Sequence, residues 1–368
     1  MIRVLQCVPG NMDMGGIETF LMNVYRKVDK NKVQFDFLVH KKEKNFWEDE
    51  IIKLGGNIYR LPNKSKNFFE YRKQFLALVK NYRIIHIHSV YAFSYFEAKW
   101  AKKENVKVIL HSHNSNATFK RKIVHLLLKR FQERCIDYRV APSFQAANWM
   151  FSSRSIKEKK VKYINNGFNI NDFLFNYQKR MSERKRWNIK NDEFLIGCVG
   201  RIDKQKDPLY TFEVFQKVLK LHNNVKLMYV GKGSLKEELE KEIKKRNCKD
   251  KVVFTGNVAN ANELLSAFDL FILPTRYEGL GISIVEAQIN GLRTLVSDNV
   301  PEEAIVKKDL VQLLSKLDLN SWVSEVDHEI VNYERIGKRR QNIDEFASYD
   351  IKNVTRQIEK VYDMIRKV

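Results

Sequence analysis

Two glutamates that flank a glycine-bracketed turn are the residues of this chain best placed to do chemistry. The turn occupies residues 278–281, with the sequence EGLG; Glu278 opens it and Glu286 follows eight residues later. An apolar run at 269–274 precedes the turn and is typical of a buried parallel strand, and a helix is predicted over 282–290. A helix that starts after such a turn has unpaired backbone N–H groups, which together with the helix dipole form a binding site for phosphate.

The two carboxylates would repel phosphate, so we expect them to accept hydrogen bonds from hydroxyl groups. A phosphate site with hydroxyl acceptors on both sides indicates a sugar nucleotide as the ligand. The alternative is that this spacing arises by chance and that Glu286 is a solvated helix residue. Gly291 is expected to end the helix in a left-handed conformation.

Two basic residues follow another predicted strand, at 194–199. Arg201 and Lys206 lie in the segment GRIDKQKDP directly after that strand. At the carboxyl edge of a parallel sheet, two such cations could neutralise a departing diphosphate, the arginine by a forked contact and the lysine as a point charge. The alternative is a solvated basic turn.

Composition limits the class of protein. The 368 residues predict about two domains, and the formal net charge of +22 favours an anionic membrane, a nucleic acid or an acidic ligand as partner. The four cysteines show no paired spacing, which is typical of free thiols in a reducing compartment. We find neither a leader pattern nor an apolar run of about 18 residues, so we expect a cytoplasmic protein that could be peripheral at the inner face of the membrane.

Strand-like and helix-like segments alternate along the chain, which predicts an α/β protein with parallel sheets covered on both faces. The alternation breaks at 169–192, a polar stretch predicted to be a linker with a short helix. We therefore predict two doubly wound, Rossmann-like domains, at 1–170 and 171–350, followed by a final helix within 351–368. Such domains bind ligands at the carboxyl ends of their strands, so a central cleft is expected between them.

The segment from Glu278 to Glu286 resembles the E-x7-E motif of the retaining glycosyltransferases of family 4, which have the GT-B fold. Residues 200–206 resemble the G-R-L-x-x-x-K-G signature of that family, with Asp207 where the family usually has glycine. The resemblance covers nearly the whole chain. It implies transfer of a hexosyl or related group, in the first instance from a UDP-sugar, and a final helix at 351–367 that returns to the first domain.

The resemblance also implies a role for each residue of the motifs. Glu278 would hold the sugar hydroxyls and Glu286 the ribose, while Arg201 and Lys206 would stabilise the leaving diphosphate. Further donor contacts are expected from glycine-containing turns, for which an ordinary strand-to-helix turn is the alternative. These are Gly279, Leu280, Gly281 and Ile282, the paired Gly15 and Gly16, Gly231, and the group Gly256, Asn257 and Val258.

Four histidines follow two neighbouring predicted strands, in the segments IHIH and HSHN. The family comparison aligns His113 with a position that contacts the transferred sugar, where a neutral ring could orient a hydroxyl or carry part of the developing charge. His86, His88 and His111 are interpreted as structural. A metal site is the disfavoured alternative, because no cysteine or carboxylate is nearby. The chain also has no D-x-D triplet, so we expect no metal and no cofactor.

The segment 119–134 predicts a basic helix with an apolar stripe. The stripe could pack in a core, or it could dock on anionic lipid.

Charge and family together favour a polyprenyl-diphosphate-linked glycan of capsule or exopolysaccharide type as acceptor. Two rival functions stay open: another sugar-nucleotide GT-B enzyme, such as an epimerase, and a nucleic-acid-binding protein. No recognised nucleic-acid module is present and the basic residues are dispersed, so nucleic acid is not expected as a partner.

Overall fold

The computed structural model describes residues 1–40, 42–258, 260–333, 339 and 343–366. The chain divides into two compact units. Unit 1 comprises Met1–Phe168 and Ser348–Val368, and unit 2 comprises Asn169–Ala347. The final helix therefore belongs to unit 1. The last two residues of the chain, Lys367 and Val368, lie outside the described residues.

Strands and helices alternate in both units. The strands are β1 (Ile2–Cys7), β2 (Val33–Val39), β3 (Ile58–Arg60), β4 (Ile84–Ser89), β5 (Lys107–Ser112), β6 (Tyr138–Ala141), β7 (Val161–Tyr163), β8 (Phe194–Val199), β9 (Val225–Val230), β10 (Val252–Gly256), β11 (Leu270–Leu273), β12 (Thr294–Ser297) and β13 (Val311–Leu314). The helices are α1 (Gly16–Lys27), α2 (Glu48–Lys53), α3 (Phe68–Val79), α4 (Tyr95–Lys103), α5 (Phe119–Glu133), α6 (Phe144–Met150), α7 (Ser153–Lys157), α8 (Tyr177–Arg186), α9 (Pro208–Leu219), α10 (Lys236–Lys245), α11 (Ala261–Ala267), α12 (Ile282–Ile289), α13 (Leu319–Val331) and α14 (Ile351–Arg366).

Each unit is built on one parallel sheet. The strand order is β3-β2-β1-β4-β5-β6-β7 in unit 1 and β10-β9-β8-β11-β12-β13 in unit 2. All the strand pairings within the two sheets are parallel. In both sheets the chain reverses its direction of winding beside the first strand of the unit. Ligands of open parallel sheets bind at the carboxyl ends of strands beside such a reversal.

Helices cover both faces of the sheet in unit 1. Every residue of β2 is buried, as expected for a strand between two helical layers. On one face α14 packs with α1, and its buried residues recur at helical spacing. These residues are Ile351, Val354, Ile358, Val361, Tyr362 and Ile365.

The polar stretch at 169–192 contains the short helix that was predicted there, α8, but this helix is packed into unit 2 and is not part of a linker. Arg180 and Arg184 are buried, and both form ion pairs with the carboxylate of Asp269, at 2.7 and 3.1 Å. Arg180 also donates to the carbonyls of Ala267 and Phe268, each at 3.0 Å. The basic run is therefore part of the packed unit, because its arginines satisfy backbone carbonyls at the end of α11 that would otherwise be buried without partners.

Among the described residues, no helix is both long and apolar enough to cross a lipid bilayer.

Candidate active site

Three glycines form the backbone edge of unit 2 at the carboxyl ends of β8, β9 and β10. Gly200, Gly231 and Gly256 all have positive φ, at 150, 140 and 68°. The Gly231 N–H donates to the Gly256 carbonyl at 3.0 Å, and a Cβ added to Gly231 would lie 2.1 Å from the Gly200 carbonyl oxygen. A side chain is thus excluded at Gly231, and the three strand ends are packed backbone against backbone.

Lys206 and Glu278 form an ion pair at the same edge. Lys206 Nζ lies 2.7 Å from Glu278 Oε1, and both side chains are largely buried. The lysine side chain crosses Gly200, because a Cβ there would lie 3.0 Å from Lys206 Cε. The two predicted catalytic groups, which are 72 residues apart in the sequence, are therefore in direct contact.

A hydrogen-bonded network joins the loop after β8 to the loop after β11. Thr275 Oγ1 lies 2.7 Å from Glu278 Oε1 and 2.9 Å from the Gln205 carbonyl. Gln205 Nε2 donates to the Tyr277 carbonyl at 3.0 Å. Thr275 and Gln205 therefore position Glu278, a role that sequence reasoning missed because neither residue belongs to a spacing that indicates one.

Asp207 has the backbone conformation that glycine would favour. Its φ and ψ are 51 and 58°, in the left-handed region that Asp tolerates better than most residues. Its carboxylate pairs with Arg276 at 2.9 Å and with Lys316. The departure from the family signature therefore leaves the turn intact and adds two ion pairs to it.

Arg201 differs from Lys206 in its exposure. Its side chain is 70% exposed, with Asp203 at 3.2 Å and Gln205 Oε1 at 3.0 Å as its contacts. An exposed guanidinium of this kind can turn towards an incoming anion at little structural cost.

The predicted turn and helix after β11 are confirmed. The helix α12 begins after Gly281, which has a φ of 85°, and Gly291 follows its end with a φ of 76°. Leu280 is buried, and Ile282 is the first helical residue. The Ser283 hydroxyl, in the first turn, is buried without a hydrogen-bond partner. A helix start with an unpaired hydroxyl is chemically suited to a phosphate oxygen.

Glu286 lies in the middle of α12. Burial raises the pKa of its carboxyl to about 7, and the ammonium of Lys206 partly opposes this rise. Among the described residues, its side chain forms no hydrogen bond or ion pair. Its oxygens are therefore available to hydroxyl donors. Asn257 and Val258 follow the Gly256 edge, the asparagine exposed and the valine half-buried.

In unit 1 the paired glycines lie at the start of α1. Gly15 is the N-cap and has an extended backbone, and the Glu18 carboxylate folds back so closely that a Cβ on Gly15 would lie 2.3 Å from its Oε2. A carboxylate in the first turn of a helix is stabilised by the helix dipole. Gly16 borders open space, with no heavy atom within 4 Å of an added Cβ.

The four histidines form one cluster beside α1. His88 Nδ1 and His113 Nε2 are 2.8 Å apart, and the rings of His111 and His113 stack with their centroids 4.2 Å apart. Phe20 of α1 contacts both of these rings. Burial lowers the pKa of His86 and of His113 to about 3, so both rings are neutral near pH 7. A neutral His113 suits hydroxyl orientation better than charge stabilisation.

His86, His88 and His111 could also hold a metal ion, because one ring nitrogen from each lies within 4.8 Å of the others. However, both nitrogens of His88 are engaged, one with His113 at 2.8 Å and the other with Gln6 Oε1 at 3.0 Å. A metal would have to displace one of these hydrogen bonds, so the residues fit a metal poorly. The expectation of a metal-free chain stays a prediction.

The helix α5 has an outward apolar face. Its inward residues are polar: His125 stacks on Trp149 with a centroid distance of 3.9 Å, and Gln132 donates to Ser94 Oγ at 2.6 Å. Core packing of the stripe, the first alternative, is therefore wrong. The exposed apolar residues are Phe119, Ile123, Leu126, Leu127 and Phe131.

Each of the two units contains a segment that matches a known protein family. The family described as Glycosyltransferase Family 4 matches residues 14–172, and the one described as Glycosyl transferases group 1 matches 179–320. EpsF of Bacillus subtilis (strain 168), which is named as a glycosyltransferase, is 30% identical over 322 residues, 85% of this chain and 83% of EpsF. The capsular polysaccharide biosynthesis glycosyltransferase CapH of Staphylococcus aureus is 22% identical over 375 residues, 98% of this chain and 99% of CapH.

Solved structures confirm the fold. The Anabaena protein HepE in complex with UDP-glucose has a TM-score of 0.81 at 15% identity, over 99% of this chain and 100% of HepE. A sucrose-phosphate synthase from Thermosynechococcus elongatus has a TM-score of 0.76 at 16% identity, over 99% of both chains. The two Rossmann-like units and these likenesses together establish the GT-B fold that was expected.

Proposed function

The chain belongs to glycosyltransferase family 4, and from this premise we propose that it transfers a sugar from a nucleotide sugar, in the first instance a UDP-sugar, to a glycan with retention of configuration. The observation that carries the proposal is the pairing of Lys206 with Glu278 beside the glycine edge of unit 2. It combines a cation for phosphate with a carboxylate for hydroxyls. The unpaired carboxylate of Glu286 adds a second hydroxyl acceptor on the adjoining helix.

In the proposed reaction, the bond between the anomeric carbon and the diphosphate oxygen breaks. The acceptor hydroxyl forms the new bond on the same face, and its proton passes to the leaving phosphate. Such a step needs no side-chain base, which suits a site whose nearest carboxylate is already paired with a lysine. Lys206 and Arg201 would stabilise the negative charge that develops on the diphosphate, together with the start of α12.

The remaining groups would orient the donor. Glu278 would accept hydrogen bonds from the sugar and Glu286 from the ribose, while a neutral His113 would orient a sugar hydroxyl. The turn from Gly279 to Ile282 would contact the phosphates, and Gly231 would face the nucleotide. Gly15 and Gly16, and the group that follows Gly256, complete the proposed donor contacts. No metal or cofactor is part of the proposal, because the two cations and the helix start supply the charge that a divalent ion would supply.

Thermal stabilisation by nucleotides tests the donor site. UDP, GDP, ADP and their sugar conjugates would be compared with and without EDTA, on the wild type, Glu286→Ala and Glu237→Ala. The last is a matched control, an exposed glutamate on α10 of the same unit. A ligand at a hundred times its dissociation constant adds about 2.7 kcal/mol of stability.

We expect one UDP-sugar to stabilise the wild type and the control in EDTA but not Glu286→Ala. If stabilisation disappears in EDTA, metal independence is wrong. If no nucleotide stabilises the chain while DNA does, the nucleic-acid alternative replaces the proposal. Conversion of the donor to an epimer without transfer would favour the epimerase alternative.

We further propose that the acceptor is a polyprenyl-diphosphate-linked glycan of exopolysaccharide or capsule synthesis. An Escherichia coli relative, 24% identical over 299 residues, is named as a galactosyltransferase that acts on a diphosphoundecaprenol-linked sugar. CapH, another relative, is named for capsular polysaccharide biosynthesis. The net charge of +22 is consistent with an anionic, lipid-bound acceptor.

The outward face of α5 supports docking on an anionic membrane surface, at its cytoplasmic side. The apolar residues of this face are flanked by exposed cations at both ends of the helix: Lys120, Arg121, Lys122, Arg130 and Arg134. Large aromatic and aliphatic side chains beside lysine and arginine are the composition of interfacial helices. Each cation near an anionic surface contributes about 1 kcal/mol, so the charges and the apolar face act together.

Vesicle sedimentation tests this docking. We expect the protein to bind vesicles that contain phosphatidylglycerol and to bind pure phosphatidylcholine weakly. The double variant Leu126→Ser/Leu127→Ser should lose binding, while Phe69→Ser, which removes another exposed apolar residue of unit 1, should keep it. Equal binding by both variants would show that α5 is not the docking surface, and the donor experiment would be unaffected.

A further inference from the structure

The histidine cluster is connected to the last helix of the chain through hydrogen bonds. Gln6 Nε2 donates to Tyr362 Oη at 3.1 Å, and Tyr362 Oη lies 2.8 Å from His86 Nδ1. Gln6 Oε1 lies 3.0 Å from His88 Nε2, and His88 Nδ1 lies 2.8 Å from His113 Nε2. All five side chains belong to unit 1, and Gln6, His86, His88 and Tyr362 are almost completely buried.

With the Gln6 amide oriented as it is in the structure, the protons along this chain have one arrangement. The tyrosine hydroxyl accepts from the Gln6 amide, so its own proton goes to His86 Nδ1. The Gln6 carbonyl is an acceptor only, so His88 must carry its proton on Nε2 and a lone pair on Nδ1. His113 must then donate from Nε2, because two facing lone pairs would repel each other. The lone pair of His113 is thereby fixed on Nδ1.

The far nitrogen of His113 is the end of the chain. Nδ1 of His113 is buried and has no hydrogen-bond partner. Its lone pair is therefore unsatisfied within unit 1. A lone pair accepts a hydrogen bond from a hydroxyl group, whereas the opposite tautomer would present an N–H that could only donate.

We propose that Tyr362 and Gln6 are positioning residues that hold His113 in the Nε2–H tautomer, so that its Nδ1 accepts a hydrogen bond from a donor-sugar hydroxyl. The role of the sugar rests on the proposed function, whereas the tautomer does not. Helix α14 thereby has a function besides packing. It brings the Tyr362 hydroxyl into the hydrogen-bonded chain that ends at His113, a residue 249 positions earlier in the sequence. Loss of that hydroxyl would leave the Gln6 amide free to rotate, so that both polarities of the chain would be populated.

Nitrogen NMR of the full chain, labelled with ¹⁵N-histidine, measures the tautomer directly. The His113 signals among the eight histidines are identified by their loss in His113→Gln. We expect a protonated Nε2 and a bare Nδ1 in the wild type. In Tyr362→Phe and in Gln6→Met we expect these signals to move towards an average of both tautomers, and kcat to fall roughly tenfold with little change in the KM of the donor.

Tyr25→Phe is a matched control, because Tyr25 is also buried, also accepts from a glutamine amide and donates to a backbone carbonyl instead of a histidine. It should lower thermal stability as Tyr362→Phe does, without moving the His113 signals or kcat. A protonated Nδ1 in the wild type, or an unchanged His113 in Tyr362→Phe, would overturn the proposal. If the tautomer shifts in Tyr362→Phe and kcat does not change, the tautomer assignment is confirmed and a role of His113 in transfer is ruled out.

Discussion

At the carboxyl edge of the sheet in unit 2 the candidate site residues are charged, whereas the histidines near the same edge in unit 1 are neutral. Unit 2 presents Lys206 against Glu278, with Glu286 on the next helix. Unit 1 presents four histidines whose pKa values burial lowers, so that their rings have no charge near pH 7.

Under the proposed function, this difference would let one type of sheet serve two tasks. Charged groups at an exposed backbone edge suit the diphosphate, whose charge rises as the donor bond breaks. Neutral rings suit a sugar, which needs hydrogen bonds of defined direction and carries no charge of its own. The comparison predicts that substitutions in unit 2 act through charge and that those in unit 1 act through hydrogen-bond direction.

The largest effect is expected from breaking the charge pair of unit 2. Glu278→Gln or Lys206→Met leaves one largely buried ion without its partner, which costs on the order of 3–5 kcal/mol. We expect the transfer rate to fall at least about a hundredfold in either variant. Denaturant unfolding and initial-rate assays measure the two effects.

The double variant Lys206→Met/Glu278→Gln is the control for this pair. It should recover much of the stability, because no unpaired ion is left, while activity stays low. Additive losses of stability in the double variant would show that the two side chains do not interact as the structure indicates.

The next largest effect is a difference in stability between alanine variants of one glycine from each unit. Gly231→Ala should lower the free energy of unfolding by about 3 kcal/mol, because its φ is 140° and its Cβ would lie 2.1 Å from the Gly200 carbonyl. Gly16→Ala should change it by less than about 0.5 kcal/mol, because Gly16 borders open space at a helix start. Unfolding of both variants tests this, and equal losses would contradict it.

The two edges should respond to pH with opposite signs. The folded pKa of Glu286 is raised to about 7 from 4.5, so its contribution to stability is present below the unfolded pKa and is lost as pH rises through 7. The folded pKa of His113 is lowered to about 3 from 6.5, so stability falls as pH drops below 6.5.

Glu286→Gln should therefore gain stability over the wild type between about pH 5 and 8, by at most about 3 kcal/mol. His113→Gln should be less sensitive to acid than the wild type, by at most about 2 kcal/mol at about pH 5. Unfolding at several pH values measures both. Parallel profiles for the wild type and both variants would contradict the assigned burial of these groups.

The smallest effect on stability is expected at Arg201. Because its side chain is 70% exposed, Arg201→Ala should change the free energy of unfolding by less than about 0.5 kcal/mol. UDP affinity should fall about tenfold, because the variant loses one charge-assisted hydrogen bond to the ligand. Calorimetric titration with UDP measures this, and Arg246→Ala, an exposed arginine at the end of α10, should bind UDP as the wild type does.

Much of the fold could be predicted from the sequence because its signals are local. Apolar runs between glycine turns predicted parallel strands, and the turn at 278–281 predicted both the start of α12 and the left-handed Gly291 that follows it. The candidate site was predictable to the level of which loops take part. The identities of the groups in contact were not, because Lys206 meets Glu278 only through the adjacency of β8 and β11, which the strand order decides.

Two segments show why charge patterns alone mislead. The basic run in α8 was predicted to lie in a stretch of linker and short helix, yet Arg180 and Arg184 are buried on Asp269. The stripe of α5 could equally have been a core, yet its apolar residues are exposed, while His125 and Gln132 of the same helix are buried. In both cases the partners come from distant parts of the chain, so the spacing within the helix does not reveal which face is covered.

The sequence by itself determined the class of fold, the two glycine-bordered edges and the charges available to a sugar nucleotide, because each depends on residues close together in the chain. Only the tertiary structure decided which charges are paired, that α5 turns its apolar face outward, and that Tyr362 reaches the histidine cluster. The physical reason is that burial and hydrogen-bond partners depend on strand order and helix packing, which place residues side by side without regard to their separation in sequence.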